Sequence, residues 1–256
     1  MRVDWWDSGR IARVRSLLCV LTFLWAGLDA SPERRDKPIR LAIVLDDAGN
    51  SVSLVEEIVE ASLMVTIAIL PAVEYARQCD RIAHEAGLEV MLHLPMEPLD
   101  SREFLDRDHS IFTGMTAFEV ASSLCHALRC VPHARGVNNH MGSLATQDQV
   151  VMEHLMQELK RCGLFFLDSV CVDHSVAARM ARKVGIPAGQ RSVFLDNVNE
   201  HDAIVEQLEK LRKMGDGAVG IGHVRPETVK VLKERMPAMA RQGVEWVFCS
   251  DLCETR

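Results

Sequence analysis

From residue 40 onward, short apolar runs rich in Val, Ile, Leu and Phe alternate with longer segments of helical spacing and charged faces, and this alternation constrains the fold most. The runs are Leu41–Leu45, Val65–Leu70, Leu88–Leu92, Gly136–Asn138, Leu164–Leu167, Val193–Leu195, Ala218–Gly222 and Val244–Phe248. Most are apolar throughout, the pattern of parallel strands covered on both faces. Between them the spacing predicts helices at Val52–Ala61, Glu74–Ala86, Ala117–Arg129, Gln147–Cys162, Ser175–Val184, His201–Met214 and Glu227–Gln242. Gly87, Gly163, Gly185 and Gly243 stand where a helix would stop before the next strand. Pro95–Thr116 has no period and reads as a long loop. Seven or eight β-α units in about 215 residues fit a complete or incomplete (β/α) barrel better than an open doubly wound sheet. No internal repeat or low-complexity linker divides the chain, so a single domain is expected.

The N-terminus differs in composition. Arg2, Arg10, Arg13 and Arg15 precede the apolar run Leu17–Gly27, which reads as a secretory signal over residues 1–30 with Ala30–Ser31 as the cleaved bond. An uncleaved membrane anchor is the alternative. Residues 31–39 form a lead-in, and 40–256 the domain. The expected location is therefore outside the cytoplasm, with the periplasm first. The 29 Lys and Arg against 36 Asp and Glu give a net charge of -7, and no basic block follows the N-terminus, which argues against a nucleic-acid partner. Beyond the signal lie seven cysteines, an odd number without any C-x-x-C, best read as scattered buried thiols rather than a disulfide framework.

Groups capable of metal ligation or proton transfer recur at the carboxyl end of one strand after another. They are Asp46 and Asp47, His93, Asn138, Asn139 and His140, Asp168, Asp196, and His223. In an α/β barrel that edge is the mouth of the active site. Asp, Asn and Ser after a strand also serve as helix N-caps, so Asp168 and Asp196 alone decide little. Histidine caps poorly, and three histidines at separate strand ends beside an acidic pair point to a site. The other seven histidines read as structural or surface residues. Two adjacent carboxylates behind a buried strand are costly without positive charge, which a divalent metal supplies. Neighbouring side chains diverge in an extended strand, so one aspartate can bind metal while the other acts as a base. Imidazole and carboxylate ligands suit catalytic Zn²⁺ without excluding Co, Ni, Mn or Fe. Gly215, Gly217 and Gly220 spell G-x-G-x-x-G, but they follow a helix and run into a strand, the reverse of a dinucleotide loop, so no nucleotide cofactor is expected.

The segments VLDDAGN, GLEVMLHLPMEP, GVNNHMGS, FFLDS, FLDN and GIGHVRPET, in this order between Leu41 and Asp251, resemble the divergent polysaccharide deacetylase family, a distant branch of the NodB-type carbohydrate esterases. The resemblance implies a NodB-like incomplete (β/α)7 barrel and metal-dependent removal of N-acetyl groups from an envelope or extracellular carbohydrate. It implies Asp46 as general base, Asp47 and His93 as metal ligands, and His223 as the acid that protonates the leaving amine. The parent H-x-x-x-H motif reads H-L-P-M-E here, so the third ligand is His140 or, alternatively, Glu97. Asn138, Asn139, Asp168, Arg191 and Asp196 would orient these groups or touch substrate. Beyond the signal there is one Trp, Trp246, and one Tyr, Tyr75, few platforms for a long glycan. A catalytically retired domain that binds sugar, or regulates an envelope protein partner, is the alternative function.

Overall fold

The computed structural model describes residues 37–100 and 106–255. The expected signal or anchor at 1–30, the lead-in up to residue 36 and part of the long loop lie outside the described residues. Lys37–Arg256 is one compact unit. Among the described residues no helix is long and apolar enough to cross a membrane.

The elements run β1 (Ile39–Ala48), α1 (Val52–Glu60), β2 (Thr66–Ile69), α2 (Ala76–Glu85), β3 (Glu89–Met96), α3 (Ala117–Cys130), β4 (Gly136–Met141), α4 (Gln149–Cys162), β5 (Phe165–Asp168), α5 (Ala177–Val184), β6 (Ala188–Gln190), β7 (Val193–Phe194), α6 (His201–Met214), β8 (Ala218–His223), α7 (Pro226–Arg241) and β9 (Val244–Val247). The named strands pair in parallel, in the order β6-β5-β4-β3-β2-β1-β8-β7. β9 pairs with the first half of β1, alongside β2 on the second half. The order lacks the mid-sheet reversal of a doubly wound fold, and β6 and β7, its two ends, are not paired with each other. The result is an incomplete (β/α) barrel.

Strand parity places the core. In β1, Leu41, Ile43 and Leu45 pack outward under the helices, whereas Ala42 and Val44 join Ala68, Met91, Phe165, Leu167, Val219 and Ile221 inside the barrel. Both layers are apolar, which is why the strands read as continuous runs. The barrel is tight: a Cβ on Gly136 would sit 2.4 Å from Phe165 Cζ. Gly136→Ala should therefore cost about 1–3 kcal/mol by overpacking, read as a lower midpoint in urea with an unchanged slope.

Three expectations change. β6 is absent from the sequence reading because Ala-Gly-Gln carries no apolar run; it forms by pairing with β5 and by a bridge from Ala188 to Glu254. The long loop starts later than Pro95, since β3 continues to Met96. Pro95 is tolerated because its polar edge faces past the end of β2, where its carbonyl accepts from Ile111 N. The cysteines are not uniformly buried: Cys79 and Cys249 are, whereas Cys125, Cys162 and Cys171 are exposed, and all seven described thiols are unbridged.

Candidate metal centre

The inward parity that fills the barrel with Ala42 and Val44 next delivers Asp46. It does the same for His93 after Met91, for Asn138 and His140 after Gly136, and for His223 after Val219 and Ile221. Register aligns them, with Asp46 opposite His223 and His93 opposite Asn138 on neighbouring strands.

Asp47 should face the helices by the same rule, yet it does not. The β1–β2 register shifts between Leu45 and Ala48, and Asp47 has φ 61°, a left-handed conformation rare outside glycine. Instead of diverging, both carboxylates face one imidazole: His93 Nε2 lies 3.7 Å from Asp46 Oδ2 and 3.3 Å from Asp47 Oδ1. Such a backbone conformation persists only where the surroundings over-determine it, as the converging side chains do here.

Asp47 Oδ1, His93 Nε2 and His140 Nδ1 form a triangle with sides of 3.3, 3.3 and 3.1 Å. Asp47 Oδ1 is buried, but its approaches to the two rings do not meet hydrogen-bond geometry. Ligands about 2.0–2.1 Å from one ion stand roughly 2.9–3.4 Å apart in octahedral to tetrahedral arrangements, so the triangle fits three faces of one cation. Glu97, the alternative third ligand, is outside this group: its Oε2 accepts from Thr113 N and Thr113 Oγ1. Glu97→Ala should thus loosen the loop at Thr113 yet retain metal, whereas His140→Ala should lose it, both read by elemental analysis after dialysis.

Electrostatics separate the two aspartates. Burial dominates at Asp46 and raises its pKa, only partly countered by His93 and the Asn138 hydrogen bond. At Asp47 burial also pushes upward but is outweighed by contacts with His140 and His93, which hold the carboxyl well below its usual range. His223 sits at the rim, its Nε2 3.9 Å from Asp47 Oδ2. Its Nδ1 lies 2.7 Å from Asp196 Oδ1, and Asp196 also accepts from His223 N and Thr228 Oγ1. Burial would lower the His223 pKa, but Asp196 and the two site carboxylates raise it.

The family's sequence model, described as divergent polysaccharide deacetylase, matches residues 43–253. The chain belongs to the divergent polysaccharide deacetylase family. Uncharacterized proteins of Haemophilus influenzae and Escherichia coli, the latter YibQ, are 37% and 35% identical to this deacetylase-family chain over 198 residues. Each match covers 76% of this chain, but 70% and 61% of those proteins, so the E. coli relative extends well beyond the shared part. An uncharacterized protein of Agrobacterium tumefaciens C58 has the same fold at TM-score 0.78 and 22% identity, over 86% of this chain and 92% of that one. The peptidoglycan deacetylase PdaC of Bacillus subtilis superposes at TM-score 0.51 and 14% identity, over 85% and 90%.

The remaining residues singled out from the sequence stand one step back from the triangle. Asn139 accepts from Ser169 N and donates to Met141 O, tying β4 to the loop after β5. Asp168, on the outward parity of β5, accepts from Val170 N and Ser175 Oγ. Arg191 donates to Ser169 O and Val170 O and lies over the Phe194 ring at 3.9 Å. These groups hold Val170 at φ 50°, a conformation unusual for a β-branched residue. Sequence reading did not single out Thr228 or Ser169, although they end the segments GIGHVRPET and FFLDS; the signal for Thr228 was a threonine in the first turn of α7, where its Oγ1 donates to Asp196.

Proposed function

We propose that this divergent polysaccharide deacetylase is an exported, metal-dependent hydrolase that removes N-acetyl groups from an envelope carbohydrate, with Zn²⁺ as the ion. The observation that carries the reading is the Asp47–His93–His140 triangle flanked by two proton-transfer groups of opposite character. When bound, a divalent ion supplies Lewis acidity and lowers the pKa of its water. Asp47, His93 and His140 would hold it.

Asp46 Oδ1 is occupied by Asn138, so Oδ2 is the oxygen available to take a proton from the attacking water. A carboxylate whose pKa is raised by burial is a stronger base for that step. As water adds to the amide carbon and the carbon–nitrogen bond breaks, the nitrogen must be protonated to leave as an amine. His223 is placed to give that proton from Nε2, because Asp196 fixes Nδ1–H and, with the neighbouring carboxylates, favours the imidazolium. The products are acetate and a free amino sugar.

Acetate release from N-acetylglucosamine oligomers by zinc-loaded and chelator-treated protein tests this. Turnover that requires the metal supports it. Full activity without metal, or metal binding with no turnover on any N-acetyl sugar, would move the assignment to another hydrolase or to the retired sugar-binding module.

A further inference from the structure

Asn138 is fully buried in β4, directly opposite His93 in register. Its Oδ1 lies 2.8 Å from His93 Nδ1, and its Nδ2 donates to Asp46 Oδ1 at 2.8 Å and to Ser169 Oγ at 3.4 Å. One amide thus bridges the residue read as base and a residue read as ligand.

We propose that Asn138 is a positioning residue that locks the His93 tautomer, with the proton on Nδ1 and the Nε2 lone pair aimed at the metal, while pinning Asp46 so that Oδ2 alone is left for proton transfer. The second half rests on the hydrolase reading; the first does not. The amide orientation follows from its neighbours. The amide NH2 has both its neighbours in Asp46 Oδ1 and Ser169 Oγ, which leaves the carbonyl oxygen against His93 Nδ1, where it requires a donor. The reversed amide would set its oxygen against Asp46 Oδ1, the acceptor it now donates to, and would admit the opposite His93 tautomer by donating to Nδ1.

Ligating imidazoles commonly give their second N–H to a carboxylate or carbonyl group. A carboxylate at position 138 would accept from His93 equally well, but it would face Asp46 across a dry gap with no proton between them. Only an amide offers acceptor and donor in one plane at this reach; glutamine is one methylene too long. His140 presents its other ring nitrogen, Nδ1, to the same point, so the two histidines require opposite tautomers, and neither can be left to chance.

The test uses zinc-loaded full-length protein with ¹⁵N-labelled histidine. In the wild type, His93 should show a protonated Nδ1 protected from exchange and a metal-shifted Nε2. Asn138→Ala should weaken Zn²⁺ binding by about 10–100-fold in chelator competition. Asn138→Asp, which keeps the acceptor, should bind Zn²⁺ within about threefold of wild type yet lose about 100-fold in kcat at unchanged KM. A metal-bound Nδ1 in wild-type His93, or unchanged zinc affinity in a folded Asn138→Ala protein, overturns the tautomer lock. Wild-type turnover by Asn138→Asp overturns the pinning of Asp46. Protein that never hydrolyses an N-acetyl sugar overturns the hydrolase reading and with it the pinning half, while the spectra and affinities still decide the lock.

Discussion

Asp46→Asn should lower kcat for N-acetyl sugar hydrolysis by about 10²–10⁴-fold while leaving one bound metal per chain. The separation is expected because Asp46 is not a corner of the ligand triangle: its nearest oxygen stands 3.7 Å from His93 Nε2, and its other oxygen is held by Asn138. Asparagine preserves volume and leaves Asp47, His93 and His140 in place, so the proton acceptor alone is removed. Metal content beside initial rates reads both outcomes. Loss of metal would make Asp46 a ligand; retained activity would remove it from proton transfer.

His223→Gln should produce a loss of similar size, about 10²-fold or more, with a distinct pH signature. Against burial, Asp196 and the neighbouring carboxylates raise the His223 pKa, so wild-type kcat should fall on the alkaline side as pH rises through the elevated imidazole value, beside an acid limb where Asp46, its pKa raised by burial, loses its basic form. That alkaline limb should vanish in His223→Gln and move to lower pH in Asp196→Asn, which removes the carboxylate that holds Nδ1–H. An alkaline limb that persists unchanged in His223→Gln would assign the proton donor elsewhere.

How far the sequence carried this description depends on parity. The continuous apolar runs gave the parallel barrel because both faces of each strand are covered, and His93, His140 and His223 stood out because histidine caps helices poorly. The inward rows Ala42–Val44–Asp46, Met91–His93, Gly136–Asn138–His140, Phe165–Leu167 and Val219–Ile221–His223 were present in the same runs, and reading the β5 row would have set Asp168 on the outer side. Asp47 was not legible in this way. Its inward turn depends on a register shift and a left-handed backbone, which no alternation rule anticipates. The choice between Glu97 and His140 was equally closed, since Glu97 is claimed by Thr113 in a loop without periodicity. Strand β6 was silent because pairing, not composition, makes it a strand.

The most direct test of the central claim is elemental analysis of purified protein after incubation with Zn²⁺ and dialysis, repeated on His93→Ala and His140→Ala with folding checked by circular dichroism. About one ion per chain in the wild type, lost in both variants, is the expected result for a three-ligand site on rigid strands. A folded wild type that retains no metal, or a His140→Ala protein that retains a full equivalent, would contradict the assignment of this triangle as the metal centre.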